Sequence, residues 1–82
     1  MAELTDVHRA ILEFEGRRWS DPAAKAGSIR EEFGHSLLEH HQVLAWLIRQ
    51  PAAMAHAPAT VRRLRRLRDA RLEARRAARA SA

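Results

Sequence analysis

Apolar residues recur at helical spacing along most of the chain, and nowhere do they alternate as they would in a strand. Thr5 followed by Asp6 has the form of an N-cap with an acid in the first turn, and Leu4 stands outside it as a staple. Val7, Ile11 and Phe14 then share a stripe, with Leu12 and Trp19 beside it, which predicts a first helix running to about Arg18. Ser20-Asp21-Pro22 restarts the pattern, because Asp21 caps well and Pro22 loses nothing at a first helical position. Ala26, Ile29 and Phe33 form the buried stripe of this second helix, and Gly34 ends it in the left-handed conformation that glycine takes cheaply.

Ser36 caps a third helix, which Pro51 closes. Placed at 100° per residue, His40, Val43, Leu44 and Leu47 gather on its inner side, with Ile48 at the edge. Leu38, Gln42, Ala45, Trp46 and Arg49 gather on the outer side. An outward tryptophan invites cover, and Leu64 or Leu67 of a last helix folded over it is the expected contact. Residues Pro51–Ala57 read as one loose turn, and Pro58 opens the last helix, which spans Ala59 to about Ala80. Val61, Leu64 and Leu67 are its docking residues. Beyond Leu72 its apolar positions are only alanine, so its second half is expected to project and to fray when nothing is bound.

Length and composition narrow what such helices can do. Seventeen of the apolar residues among the 82 are alanine, which leaves 21 large apolar side chains for a core. That is too little material to wall off a deep catalytic cleft. There is no cysteine, hence no disulfide framework and no thiolate metal site. The first residues carry Glu3, Asp6 and Glu13 where a secretory leader would be cationic and then apolar, and no apolar run has the length of a membrane span. A soluble, cytoplasmic chain is therefore expected.

The charge is unevenly placed. Up to Pro58 there are six Lys and Arg against eight Asp and Glu; from Ala59 onward, nine arginines face only Asp69 and Glu73. One end is a polycation, which suggests a nucleic acid, an acidic protein surface or an anionic membrane as partner. A solvated helix usually mixes signs to gain i,i+4 pairing. The block from Thr60 to Ala77 leaves its repulsion standing, and a polyanion would relieve it.

The stretch Ile29-Arg30-Glu31-Glu32-Phe33-Gly34-His35-Ser36, followed by Val43 and Leu47, fits a helix-turn-helix. Such a motif needs a turn glycine, a small cap and apolar residues at fixed offsets on both sides. His35 and His40 stand where aliphatic or aromatic residues are more usual. Other constellations carry less. Glu32 and His35 form an E-x-x-H interrupted by Gly34, and His40 and His41 point different ways from one helix. A partly buried His40 bonded to a backbone group is the expectation, with no metal, no cofactor, no small-molecule substrate and no enzymatic activity.

The stretch from Ile11 to Ala77 also resembles a family of small actinobacterial proteins catalogued as a domain of unknown function. The residues that carry the resemblance are Ile11-Leu12-Glu13-Phe14-Glu15, Trp19, Ala24-Lys25, the run Ile29 to Gly34, the run His40 to Ile48, and the block Val61 to Arg76. The resemblance implies a small helix-turn-helix protein with DNA or transcription-linked binding. Three positions depart from that pattern. Leu37-Leu38-Glu39 replaces small or basic residues, His40-His41 replaces a pair of aromatics, and Ala57 stands where a capping acid would precede Pro58.

The expected architecture is all-α. Residues 1–58 form a three-helix core with a helix-turn-helix, and residues 59–82, after a short connecting turn, form a protruding basic helix. The expected function is duplex-DNA binding of a transcription-regulatory kind. Ser36, Leu38 and Gln42 are the candidates near base edges, with Gln42 suited to adenine. Lys25, Arg30, Arg49, Arg62, Arg63, Arg65, Arg66, Arg68, Arg71, Arg75 and Arg76 are the phosphate candidates. The rival is a protein-interaction module that binds a transcription-machinery subunit or a second copy. It would use Leu37, Leu38, Ala45 and Trp46, with the basic helix on an acidic surface. RNA or ribosome association through the arginine helix alone is a third reading, opposed by the lack of aromatics spaced for base stacking. A membrane-surface role lacks the large apolar residues that insertion needs.

Overall fold

The computed structural model describes residues 3–81, which form five helices: α1 (Asp6–Glu15), α2 (Pro22–Phe33), α3 (Leu37–Leu47), α4 (Pro51–His56) and α5 (Pro58–Ser81). No strand occurs among the described residues, and the chain is all-α. The outer limits expected for the two segments, residues 1 and 82, lie outside the described residues.

The caps sit where local chemistry puts them. Thr5 Oγ1 accepts from the His8 N–H at 3.1 Å, and His8 Nδ1 accepts in return from the Thr5 N–H at 3.2 Å, so a histidine fills the usual Glu or Gln place of a capping box. Asp21 Oδ1 accepts from the Ala23 N–H at 3.0 Å, with Pro22 at the start of α2. At Gly34 the backbone turns left-handed, φ 67°, and its N–H donates to the Arg30 carbonyl at 2.9 Å. Gly34-His35-Ser36 is thus the whole connection between α2 and α3.

α1 stops at Glu15, three residues before the expected end at Arg18. The Gly16 N–H is shared between the Leu12 and Glu13 carbonyls, both at 3.1 Å, and Trp19 folds back so that its Nε1 donates to the Phe14 carbonyl at 3.3 Å. A Cβ at Gly16 would lie 3.2 Å from the Glu13 carbonyl oxygen and 3.4 Å from Thr60 Oγ1. The missing side chain lets the first turn of α5 sit against the end of α1.

Leu4, Ile11, Leu12, Leu47, Ile48, Ala53 and Val61 make one buried cluster, with Val43, Leu44, Met54 and Leu64 packed half-buried against it. A second cluster is aromatic: the Phe14 ring lies 4.8 Å from Trp19, 5.5 Å from Phe33 and 5.8 Å from His40, and joins α1 to α2 and α3. Val7, expected in the core stripe, is exposed although its angular position lies between the buried Ile11 and Phe14; the buried part of α1 is its second half, Ile11 to Glu15.

The segment expected as a loose turn, Pro51–Ala57, is instead helix α4 with a buried Ala53, and it packs between α1 and α5. α5 docks through Val61 and Leu64, but Leu67 is exposed because the helix leaves the body there. From Asp69 to Ser81 every residue is exposed and the chain is helical throughout. Replacing Gly34 by alanine, Gly34→Ala, should destabilise the domain by about 1–2 kcal/mol, since a Cβ disfavours a left-handed residue. Urea unfolding followed by circular dichroism measures this.

Candidate nucleic-acid interface

The outer face of α3 is held in place from behind by Glu15, the last residue of α1. One carboxylate oxygen, Oε2, accepts from His40 Nε2 of α3 at 2.9 Å, and the other, Oε1, accepts from Lys25 Nζ of α2 at 3.0 Å. The Glu15 main-chain carbonyl accepts from the Arg63 guanidinium of α5. Glu15 and His40 are both buried. Burial by itself would raise the Glu15 pKa, but the hydrogen bonds from His40 and Lys25 and their positive charge together hold it below its ordinary value of 4.5. His40 was expected to bond a backbone group; it bonds this carboxylate, and its ring also packs against both Phe14 and Phe33, at 5.8 Å and 6.2 Å. A histidine at an aromatic position thus supplies both the ring and the hydrogen bond.

On the opposite side of α3, Leu38, Gln42, Ala45, Trp46 and Arg49 are exposed together, with Leu37 beside them. Trp46 is not covered by α5. Its relative exposure is 39%, and its neighbour is the His8 ring of α1 at 5.1 Å. α5 approaches α3 on another side, beside His41, Leu44 and Ile48, which puts Leu64 and Leu67 out of reach of the indole. Gln42 lies in a shallow hollow with His8, His35, Glu39 and Trp46. At the start of α3, Ser36 Oγ accepts from the Glu39 N–H at 3.1 Å and Glu39 Oε1 accepts from the Ser36 N–H at 2.9 Å. These bonds to Ser36 also hold the Glu39 carboxyl below its usual pKa, so the helix begins with an anion and Ser36 has its O–H left to donate.

The basic candidates divide into two groups. Lys25 pairs with Glu15, Arg63 donates to the Glu15 carbonyl, and Arg65 Nε donates to the Ile48 carbonyl at 2.6 Å, where it closes the end of α3. These three tie helices together. Arg68 pairs with Asp69 at 3.0 Å and Arg76 with Glu73 at 3.8 Å, both at the surface. Arg30, Arg49, Arg62, Arg66, Arg71 and Arg75 make no ion pair and no side-chain hydrogen bond among the described residues.

On α5 the arginines are also divided by face. At 100° per residue, Asp69 and Glu73 share a side with Arg62, Arg66 and Arg76. Arg68, Arg71 and Arg75 occupy a side with no acid, and that side turns toward α3. By composition the block is uniformly cationic, although the i,i+4 spacing of its two acids already marks the balanced side. Glu15 is a positioning residue that the motifs do not single out. Its signal in the sequence is a carboxylate four residues after Ile11, on the apolar stripe.

No group of three or more His, Asp and Glu residues that could hold a metal ion occurs among the described residues. No helix among them is long and apolar enough to cross a membrane. The family model described as "Protein of unknown function (DUF3263)" matches residues 3–76. No curated protein and no solved structure matches the chain.

The lowered Glu15 pKa fixes the sign of an acid effect. A carboxyl group more acidic in the folded than in the unfolded chain adds stability above its unfolded pKa. That contribution is lost as the pH falls through the folded value. Wild-type protein should therefore lose stability as pH falls below about 4.5, and Glu15→Gln should flatten this limb. At neutral pH Glu15→Gln should cost about 1.5–3 kcal/mol, as expected for hydrogen bonds to a charged group. Thermal unfolding of both proteins as a function of pH provides the measurement.

Proposed function

The chain belongs to the family described as DUF3263, and we propose that it is a small, non-enzymatic duplex-DNA-binding protein of transcription-regulatory type that acts in the cytoplasm. The observation that carries this reading is the solvent-facing side of α3. It follows a three-residue turn with a left-handed glycine, it is braced from behind by Glu15, and arginines without an ion pair among the described residues flank it. In this reading α3 lies in the major groove. Gln42 bonds an adenine edge, and Leu38, 68% exposed, touches a thymine methyl. The Ser36 hydroxyl donates to a phosphate.

Holding is separate from reading. Arg30 and Arg49 at the ends of the motif, and Arg62, Arg66, Arg71 and Arg75 on α5, contact phosphates, which gives affinity without sequence preference. Lys25, Arg63 and Arg65 keep their structural bonds. A second reading rests on a specific observation too: Leu37 is 48% exposed and Leu38 and Trp46 stand near it on the same helix. In that reading the face binds a protein, either a transcription-machinery subunit or a second copy.

Selection from a random duplex pool tests the reading helix. A preferred sequence should emerge, and Gln42→Ala should relax it at one position by about 1–3 kcal/mol, the worth of a bidentate contact. Arg66→Ala should weaken all sequences alike. If no sequence is preferred, or Gln42→Ala leaves the preference intact, α3 is not a reader and the protein-binding reading takes its place.

The holding role is tested by truncation. Removing residues 71–82 should weaken duplex binding and lower the slope of log affinity against log salt by about 0.9 for each phosphate no longer neutralised. An unchanged slope would place the phosphate-binding arginines elsewhere.

A further inference from the structure

We propose that the groove between α3 and α5 is the docking site of an acidic amphipathic helix carried by a partner protein. The groove encloses about 300 Å³. Leu44 of α3, Ile48 at its C-terminal cap, and Leu64 and Leu72 of α5 make its floor. Ala45 keeps the α3 wall low, so that another backbone can approach.

The rim is charged on one side. Arg68, Arg71 and Arg75 stand on successive turns of α5 along the groove. Arg68 is engaged by Asp69 from the adjoining side, whereas Arg71 and Arg75 have no ion-pair partner among the described residues. On the other rim stands His41. Burial lowers its pKa, and the charges of His40, Lys25 and Arg71 lower it further against the opposing effect of Glu15. Positive charge is therefore concentrated along α5.

An apolar floor beside a row of cations defines the occupant. A phosphate backbone would satisfy the arginines and leave the leucines against water. A helix with apolar residues at i, i+3, i+4 and i+7 and carboxylates along one flank satisfies both. From Leu64 to Arg75 the groove runs about 16 Å, or three helical turns, which sets the partner segment at roughly 11–12 residues. A second copy of this chain does not supply it. The acidic helix α1 already buries Ile11, Leu12 and Phe14 in its own core, and α2 already buries Ile29. This inference stands apart from the DNA reading, although a docked acidic helix would compete with phosphates for Arg71 and Arg75.

The test uses the full chain and a fluorescently labelled 14-residue peptide with leucines at the i, i+3, i+4, i+7 positions and glutamates beside them. A scrambled peptide of the same composition is the control. By anisotropy, the ordered peptide should bind about tenfold or more tightly than the scrambled one, the scale of a few well-packed anchors. Leu72→Gln, Arg71→Glu and Arg75→Glu should each weaken binding about tenfold or more. Arg18→Glu, the same charge change away from the groove, should leave affinity within about twofold. Circular dichroism should show equal helicity, since these four positions are exposed.

Equal binding of the scrambled peptide, or an unchanged affinity in Leu72→Gln, would reduce the interaction to diffuse charge and overturn the proposal. So would self-association of the chain that Leu72→Gln abolishes, because a second copy would then fill the groove. Amide shifts of Leu44 and Leu72 with duplex DNA but not with the ordered peptide would assign the groove to nucleic acid instead.

Discussion

Glu15 carries a carboxylate into the interior at the junction of α1, α2, α3 and α5, and the geometry of the outer surface depends on how that charge is satisfied. A buried carboxylate is costly unless its lone pairs are occupied. Here His40 and Lys25 take one oxygen each, and Arg63 takes the neighbouring carbonyl. The requirement of one residue thereby fixes the rotation of α3 about its axis. With His40 turned in, Leu38, Gln42 and Ala45 must turn out. The same requirement withdraws Lys25 and Arg63 from any external anion.

A chain of this size has few large apolar residues, and polar ties to main-chain carbonyls supplement its core. Arg65 on the Ile48 carbonyl ties α5 to the end of α3, and Trp19 on the Phe14 carbonyl folds the following segment back on the end of α1. Basic residues in this protein therefore do two jobs. On α5, Arg63 and Arg65 hold the fold and Arg68 and Arg76 pair with Asp69 and Glu73, whereas Arg62, Arg66, Arg71 and Arg75 make no ion pair among the described residues. The acids refine this division: Asp69 pairs with Arg68 and Glu73 with Arg76, which leaves Arg71 and Arg75 as the unpaired cations of the groove side among the described residues.

The caps Thr5, Asp21 and Ser36 and the turn at Gly34 were legible in the sequence because each depends only on its neighbours. The inner and outer sides of α3 were legible from periodicity, and every residue assigned to them lies on its side. α4 was not legible: alanines carry no period, and a six-residue helix forms only because α1 and α5 pack on it. The partner of His40 was out of reach because Glu15 is 25 residues away in sequence. The expected cover of Trp46 by Leu64 or Leu67 fails because the direction from which α5 approaches α3 depends on α4. Candidate readers on α3 were therefore accessible to sequence reasoning, whereas the division of arginines into ties and free cations required the fold.

The central claim is that a braced α3 and the free arginines of α5 act together on duplex DNA. The most direct measurement is equilibrium binding to duplex DNA, single-stranded DNA and RNA in parallel across a salt series. Duplex DNA should bind most tightly, with log affinity falling linearly in log salt as released counterions require. Binding that is tighter to RNA or to single strands, or no salt-dependent binding to any of the three, would contradict it.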